Sequence, residues 1–323
     1  MLKAVVSRVF FGALLGFSLT GFCETLFTYD GKPYKAKDLN SAFQQKLFDA
    51  EEHKFRDQLR VVEDAVLDIY FKKLAEKSSK SASQIRKEKM QVAPPTDAKL
   101  KEFYEKNRSK IPYPFEQVKA DLVRFVTDKS RGEKREAILA EIRKSGSYKV
   151  AIKRPKAPVV KIDTKGFYQK GKLGAKVKVV EFADYKCPHC KLAFEVFEKV
   201  MKKHGKKIEF TFIDFPIIKD SYKIAEASFC AKKQNKYWQF HKAAFKHQAD
   251  RKLPKELAKI AGLDEKAFTS CFDKREGQSF VDKGRKLGEE SGVSGTPTVF
   301  INGVRYTSAF TEEAVSKAIE ALL

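Results

Sequence analysis

"DYKCPHCKL", Asp184–Leu192, sets two cysteines two residues apart with Pro188 and His189 between them. Such a pair serves zinc binding, haem attachment, thiol–disulfide exchange or a structural bridge, and its surroundings decide among them. Just upstream, "VKVVEF" (Val177–Phe182) is a β-branched apolar run, the pattern of a buried strand. Downstream, Leu192, Val196 and Val200 recur at helical spacing beside Ala193, Phe197 and Met201. The cysteines therefore sit at a strand-to-helix junction, with Cys187 at the helix N-terminus. Unpaired backbone N–H groups and the helix dipole stabilise a thiolate there. Pro188 suits the first helical turn, where its missing N–H costs nothing, and His189 adds a donor or a positive charge near the sulfur. Haem attachment would need histidine where Lys191 stands. A zinc site needs two further ligands, and Cys230 and Cys271 are each solitary in a helical pattern. No metal set emerges, and a C-x-x-C disulfide is strained and labile, the property an exchange catalyst uses, so the reading is redox chemistry of Cys187 and Cys190.

Beyond this helix, "IEFTF" (Ile208–Phe212) predicts a second strand, and helical patterns run from Asp220 to Gly292. "SGTPTVFINGVRY" (Ser294–Tyr306) follows, with Asn302-Gly303 as a two-residue hairpin turn between Thr298–Ile301 and Val304–Tyr306. Thr311–Leu322 closes with a helix. Strand, C-x-x-C helix, strand, helical block, hairpin, helix is the order of an α/β thioredoxin fold with a helical insertion.

Residues 165–323 resemble the DsbA-type thiol–disulfide oxidoreductases, of the branch carrying E-F-x-D-Y-x-C-P-x-C and G-T-P-T; this chain has EFADYKCPHC and GTPT. The resemblance implies a nucleophilic Cys187, a resolving Cys190 and a cis-proline at Pro297 lying against the pair. The backbone of Thr296 would pair with an extended substrate strand. Glu181 stands where the family carries a partly buried acid that exchanges a proton with the resolving cysteine, and Asp184 is expected to be a solvated acid. Cys230 and Cys271, in "SFCAKKQNKYWQFHKAAF" and "AFTSCFDK", also match this branch and are expected to form a structural disulfide, with two separate buried thiols as the alternative. Trp238, Phe240 and Phe245 read as core, and His241 and His247 as solvated or capping. No cofactor is implied beyond the redox-active pair itself.

The chain opens "MLKAVVSRVFFGALLGFSLTGFC": Lys3 and Arg8, an apolar run too short to span a bilayer, then small residues. This is the pattern of a secretory leader, residues 1–23, with acylation at Cys23 as the rival; the expected location is periplasmic. Four cysteines then remain, an even count that suits an oxidising compartment. The formal net charge of +23 is spread evenly over both halves as lysine interleaved with Glu and Asp. With no basic arm or arginine–aromatic stripe it argues against nucleic acid.

Two domains are expected. "KRPKAPVVK" (Lys153–Lys161) interrupts the pattern, so residues 153–174 read as linker and lead-in between a mostly helical domain, 24–152, and the thioredoxin-like domain, 175–323. The helical half begins with a strand pair around Asp30-Gly31, breaks at Ser78–Ser83 and Pro94–Asp97, and ends with a strand at "YKVAI" (Tyr148–Ile152). Its order resembles the helical chaperone domain of SurA-like folding factors, most closely at "YEKN…PFEQVKADL", without room for their parvulin module. It holds one histidine, His53, and no catalytic spacing.

Together these readings predict an exported oxidoreductase acting on unfolded or cysteine-containing proteins, with a DsbB-like or DsbD-like membrane redox partner. Pro188-His189 favours an oxidant. The alternatives are an isomerase or reductase dimerising through the helical half, and a mainly non-enzymatic chaperone.

Overall fold

The computed structural model describes residues 25–108, 111 and 113–323; the expected leader and Cys23 lie outside them. The chain divides into two compact units, one of residues 25–49 with 156–323 and the other of residues 50–155.

The first unit is organised by a five-stranded sheet of order β3-β5-β4-β6-β7. Its centre is β4 (Val177–Ala183), parallel to β5 (Ile208–Asp214) and antiparallel to β6 (Thr298–Ile301). Buried on both faces, β4 and β5 read as the near-continuous apolar runs that such strands require. Alternation along β4 sends Val180 and Phe182 to one face, among Phe167, Ile213, Phe215 and Phe300. Val177, Val179 and Ala183 go to the other face, which also holds Cys187, Cys190, Phe197, Phe210 and Phe212. The same alternation assigns Glu181 to the cysteine face.

At the far edge, β6 turns through Asn302 and Gly303, both at positive φ, into β7 (Val304–Arg305), as the Asn-Gly pair predicts. At the opposite edge, β3 (Tyr168–Gly171) runs antiparallel to β5. The sequence reads this stretch as a polar lead-in; it is instead an edge strand, where one ladder partner suffices and polar side chains are at home.

Helix α5 (Pro188–His204) follows β4, and the insertion between β5 and β6 comprises α6 (Ser221–Lys233), α7 (Tyr237–Lys246), α8 (Pro254–Ile260), α9 (Glu265–Asp273) and α10 (Gln278–Glu290). A disulfide joins Cys230 of α6 to Cys271 of α9. Helix α10 lies close on the sheet: a Cβ at Gly288 would stand 2.5 Å from the Phe215 ring. The unit closes with α11 (Glu312–Glu320).

Residues 25–49, read from sequence as part of the helical half, make their contacts in this unit. They form the hairpin β1 (Phe27–Tyr29) and β2 (Lys32–Tyr34) and the start of α1 (Ser41–Ala75). Asp49 pairs with Arg305 at 3.0 Å.

The second unit holds the rest of α1 with α2 (Ala82–Met90), α3 (Asp97–Lys106) and α4 (Phe115–Lys144). Ser81 and Gln84 form a reciprocal capping box at the start of α2, and Thr96 caps α3. Leu67, Phe71, Ile85, Ile138, Leu139 and Ile142 make one core cluster, and Leu100, Tyr104 and Leu122 another. The buried Glu63 carboxylate accepts from Arg135 and Arg143, which compensates its desolvation. The expected strand at Tyr148–Ile152 does not form. No neighbouring strand is there to receive its ladder bonds, and Tyr148 packs instead on the first cluster. Among the described residues, no helix is long and apolar enough to cross a membrane.

Candidate active site

Cys187 is the N-cap of α5, with Pro188 at its first helical position. Its carbonyl accepts from the Cys190 and Lys191 amides at 3.0 and 3.2 Å, closing the first turn. That turn places the two sulfurs differently. The Cys187 Sγ looks across to the loop before β6, where it lies 3.3 Å from the Thr296 carbonyl oxygen. The Thr296–Pro297 peptide in that loop is cis. Cys190 is fully enclosed, and its sulfur accepts from the Asp184 amide at 3.4 Å. Pro188 and His189 are exposed on the rim. The structure thus brings Cys187, Cys190, Thr296 and Pro297 together from segments more than 100 residues apart. Cys230 and Cys271 are spent in their own bridge.

Beneath the pair lies Glu181, 2% exposed, with one carboxyl oxygen lacking any hydrogen-bond partner. Burial pushes its carboxyl up to about 8, against which Lys170 pulls weakly downward. Burial also pushes the Cys190 thiol well above its ordinary value, and the nearby Glu181 charge adds to the effect. A buried thiol that resists ionisation beside a carboxyl that keeps its proton near neutrality is an arrangement able to pass one proton between them.

Asp184, expected to be solvated, is buried and serves as a brace. Its carboxylate accepts from the Lys186 amide at 2.7 Å, from the Ile217 and Ile218 amides at 2.7 and 2.8 Å, and from the Ser221 hydroxyl at 2.8 Å. One short side chain therefore ties the cysteine loop to the loop after β5. The sequence could not show this, because three of the four partners lie more than 30 residues away. Asp184→Ala leaves several donors facing an apolar methyl and should cost about 2 kcal/mol. Urea denaturation checks it; a loss too small to measure would mean that water replaces the carboxylate.

His241 also departs from expectation. It lies buried among Tyr185, Phe194, Phe212, Tyr237, Trp238 and Phe245. Burial pushes its imidazole well below the usual range, so it stays neutral. His247 ends α7 as its C-cap and meets Asp250 at 2.7 Å. Next to it, the Gln248 side-chain amide donates to the carbonyls of Tyr185 at 2.7 Å and Cys187 at 3.0 Å. Nothing local in the sequence marks this contact.

A family model described as Thioredoxin matches residues 163–321. The probable disulfide bond formation protein D of Bacillus cereus is 30% identical over 165 residues, covering 46% of this chain and 76% of that protein. The chain belongs to the DsbA-like thiol–disulfide oxidoreductases.

The chain is also similar to part of larger proteins. The sodium/proton antiporter NhaA 3 of Salinispora tropica is 29% identical over 167 residues, covering 50% of this chain; the chain spans about 25% of that relative's length. The crystal structure of oxidised BdbD from Bacillus subtilis aligns with a TM-score of 0.46 at 27% identity, over 52% of this chain and 98% of that one. DsbA-like proteins work through a redox-active cysteine pair without an external cofactor. Among the described residues, no group of three or more His, Cys, Asp or Glu could hold a metal ion. The four helices α1–α4 lie outside the matched segment.

Proposed function

We propose that this DsbA-like chain exchanges disulfides with cysteine-containing proteins in the periplasm, reached through removal of residues 1–23. The observation that carries this reading is the pair's asymmetry: Cys187 Sγ faces the Thr296 carbonyl at 3.3 Å while Cys190 is enclosed behind it.

In the oxidising direction, a substrate thiolate attacks the Cys187 sulfur of the Cys187–Cys190 disulfide. The S–S bond breaks, and the Cys190 sulfur leaves and takes up a proton, for which Glu181 is the donor at hand. A second substrate thiolate then attacks the mixed disulfide and expels Cys187 as a thiolate. Two electrons pass to the pair, and a membrane redox partner of the DsbB kind removes them; in the reducing direction a partner of the DsbD kind supplies them instead. In reverse, Cys190 resolves the mixed disulfide after losing its proton. Thr296 offers its carbonyl to an extended substrate backbone, in the strand-addition mode. Pro188 and His189, exposed beside Cys187, favour the reduced form and with it the oxidase direction. The names of relatives such as disulfide bond formation protein D support that direction. The helical unit, residues 50–155, is assigned to holding clients or pairing with a second copy, since Val61, Ile69 and Phe125 are each more than half exposed on it.

Cys190→Ser tests the core of this proposal. The variant should accumulate mixed disulfides with reduced, unfolded proteins, all through Cys187, and release them only on adding a small thiol. Mass mapping of the trapped peptides checks it. Adducts at any other position, or none in a variant that remains folded, would refute the reading.

A further inference from the structure

We infer that Gln248 is a positioning residue for the exchange reaction, acting on Cys187 through the backbone on either side of Lys186. The inference rests on the function proposed above, but its test does not require a substrate protein.

The argument begins with where Gln248 is held. Helix α7 is fixed at its C-terminal end by Phe245, which is fully buried and packs on the rings of Tyr185 at 5.0 Å and Phe194 at 5.2 Å. Tyr185 precedes the cysteine pair and Phe194 lies on α5, so the end of α7 is anchored to both sides of the active-site turn. The backbone then leaves α7 through His247, whose ring meets Asp250 at 2.7 Å and steadies the turn that carries Gln248. From this anchored turn, both N–H groups of a single amide reach the Tyr185 and Cys187 carbonyls, at 2.7 and 3.0 Å.

Those carbonyls flank the peptide units that set the N-cap conformation of Cys187, φ −75° and ψ 120°. The Cys187 carbonyl is also the acceptor of the first helical turn. Asp184 braces the same turn from the opposite partner, the loop after β5. Two side chains therefore hold the loop: Asp184 accepts from the Lys186 amide within it and from the Ile217 and Ile218 amides beyond it, and Gln248 donates to its C=O groups. Without the amide, two carbonyl dipoles lose their positive partner beside the sulfur and the turn loses one of its two braces. A carboxylate in its place would face both carbonyl oxygens and add a negative charge near the Cys187 thiolate. Each change disfavours the thiolate form.

Gln248→Ala and Gln248→Glu in the full chain test the inference. The reduced proteins are alkylated with iodoacetamide across a pH series, and the label is mapped to Cys187. The rate at pH 7 should fall about 3- to 10-fold for Gln248→Ala, the scale of one modest hydrogen bond, and further for Gln248→Glu. The pH midpoint should rise in the same order. Equilibration with reduced and oxidised glutathione should move toward the disulfide form in parallel. A merely structural role would change melting temperature without this order, and thermal unfolding of both variants reads that separately. Two variants with the wild-type pH profile and glutathione equilibrium overturn the inference. So does a profile shift of equal size in both variants that simply tracks a loss of stability. Because alkylation needs no client, a wild-type protein that labels normally but exchanges with no protein would refute the proposed function and leave this inference standing.

Discussion

Glu181→Gln should slow resolution of the mixed disulfide by about 100-fold, the low end of what a positioned acid–base group contributes. The residue earns that expectation from its place. Strand alternation turns it to the cysteine face of β4, it is almost wholly buried, and one of its oxygens has no partner. Cys190, the thiol it stands beneath, cannot ionise easily on its own because burial opposes it. A rapid-mixing experiment that forms the Cys187 adduct and follows its loss measures the step. An unchanged rate would remove Glu181 from the reaction.

The same variant should change stability with a defined sign. Folding raises the Glu181 carboxyl from 4.5 to about 8, so the native chain holds a proton there that the unfolded chain has released. The contribution is fully present below pH 4.5, declines as pH rises toward 8 and is absent above. Its upper size is about 5 kcal/mol, from the width of that window and the free energy of one pKa unit. Glu181→Gln, uncharged throughout, should therefore gain on the wild type between pH 4.5 and 8 in urea unfolding. A difference that stays flat across that range would show that the carboxyl ionises normally in the folded protein.

The second large effect belongs to the insertion. Cys230 and Cys271 are 41 residues apart and joined, and both are buried in the helical block. Removing the bridge frees that loop in the unfolded chain, and the chain-entropy model puts the cost at roughly 4 kcal/mol. Replacing both cysteines with alanine should lower the urea midpoint accordingly and leave single-turnover exchange at Cys187 nearly intact, since the two sulfurs are bonded to each other on α6 and α9 and not to the active pair. Loss of exchange with stability unchanged would assign the bridge to electron transfer instead.

Where burial and chemistry coincide in a short window, the fold was legible in the sequence. VKVVEF reads as a buried strand, Asn302-Gly303 signals a tight hairpin, and C-P-H-C between strand and helix places the pair at a helix N-terminus. Tyr168–Gly171 was harder: an edge strand shows no alternation and ends in glycine, so only the presence of β5 beside it makes it a strand. The reverse holds at Tyr148–Ile152, where β-branched residues have no ladder to join. Of the site, Glu181 could be found by counting back from Cys187. Asp184 and Gln248 could not be given their present parts, because each works on backbone groups brought close by the tertiary fold, 33 and 34 residues away for Asp184 and 61 and 63 for Gln248.

The insertion also bears on how the sheet is assembled. Strand β6 must find β4 after the chain has left β5 and travelled through five helices, a non-local pairing of the kind that slows folding. With the Cys230–Cys271 link in place, the shortest covalent path across that excursion is cut to about half, and the search for the β4–β6 register is correspondingly narrower, although the saving grows only with the logarithm of length. The oxidised chain should therefore recover its sheet sooner than the reduced one, measured as the refolding rate of the two forms after dilution from urea.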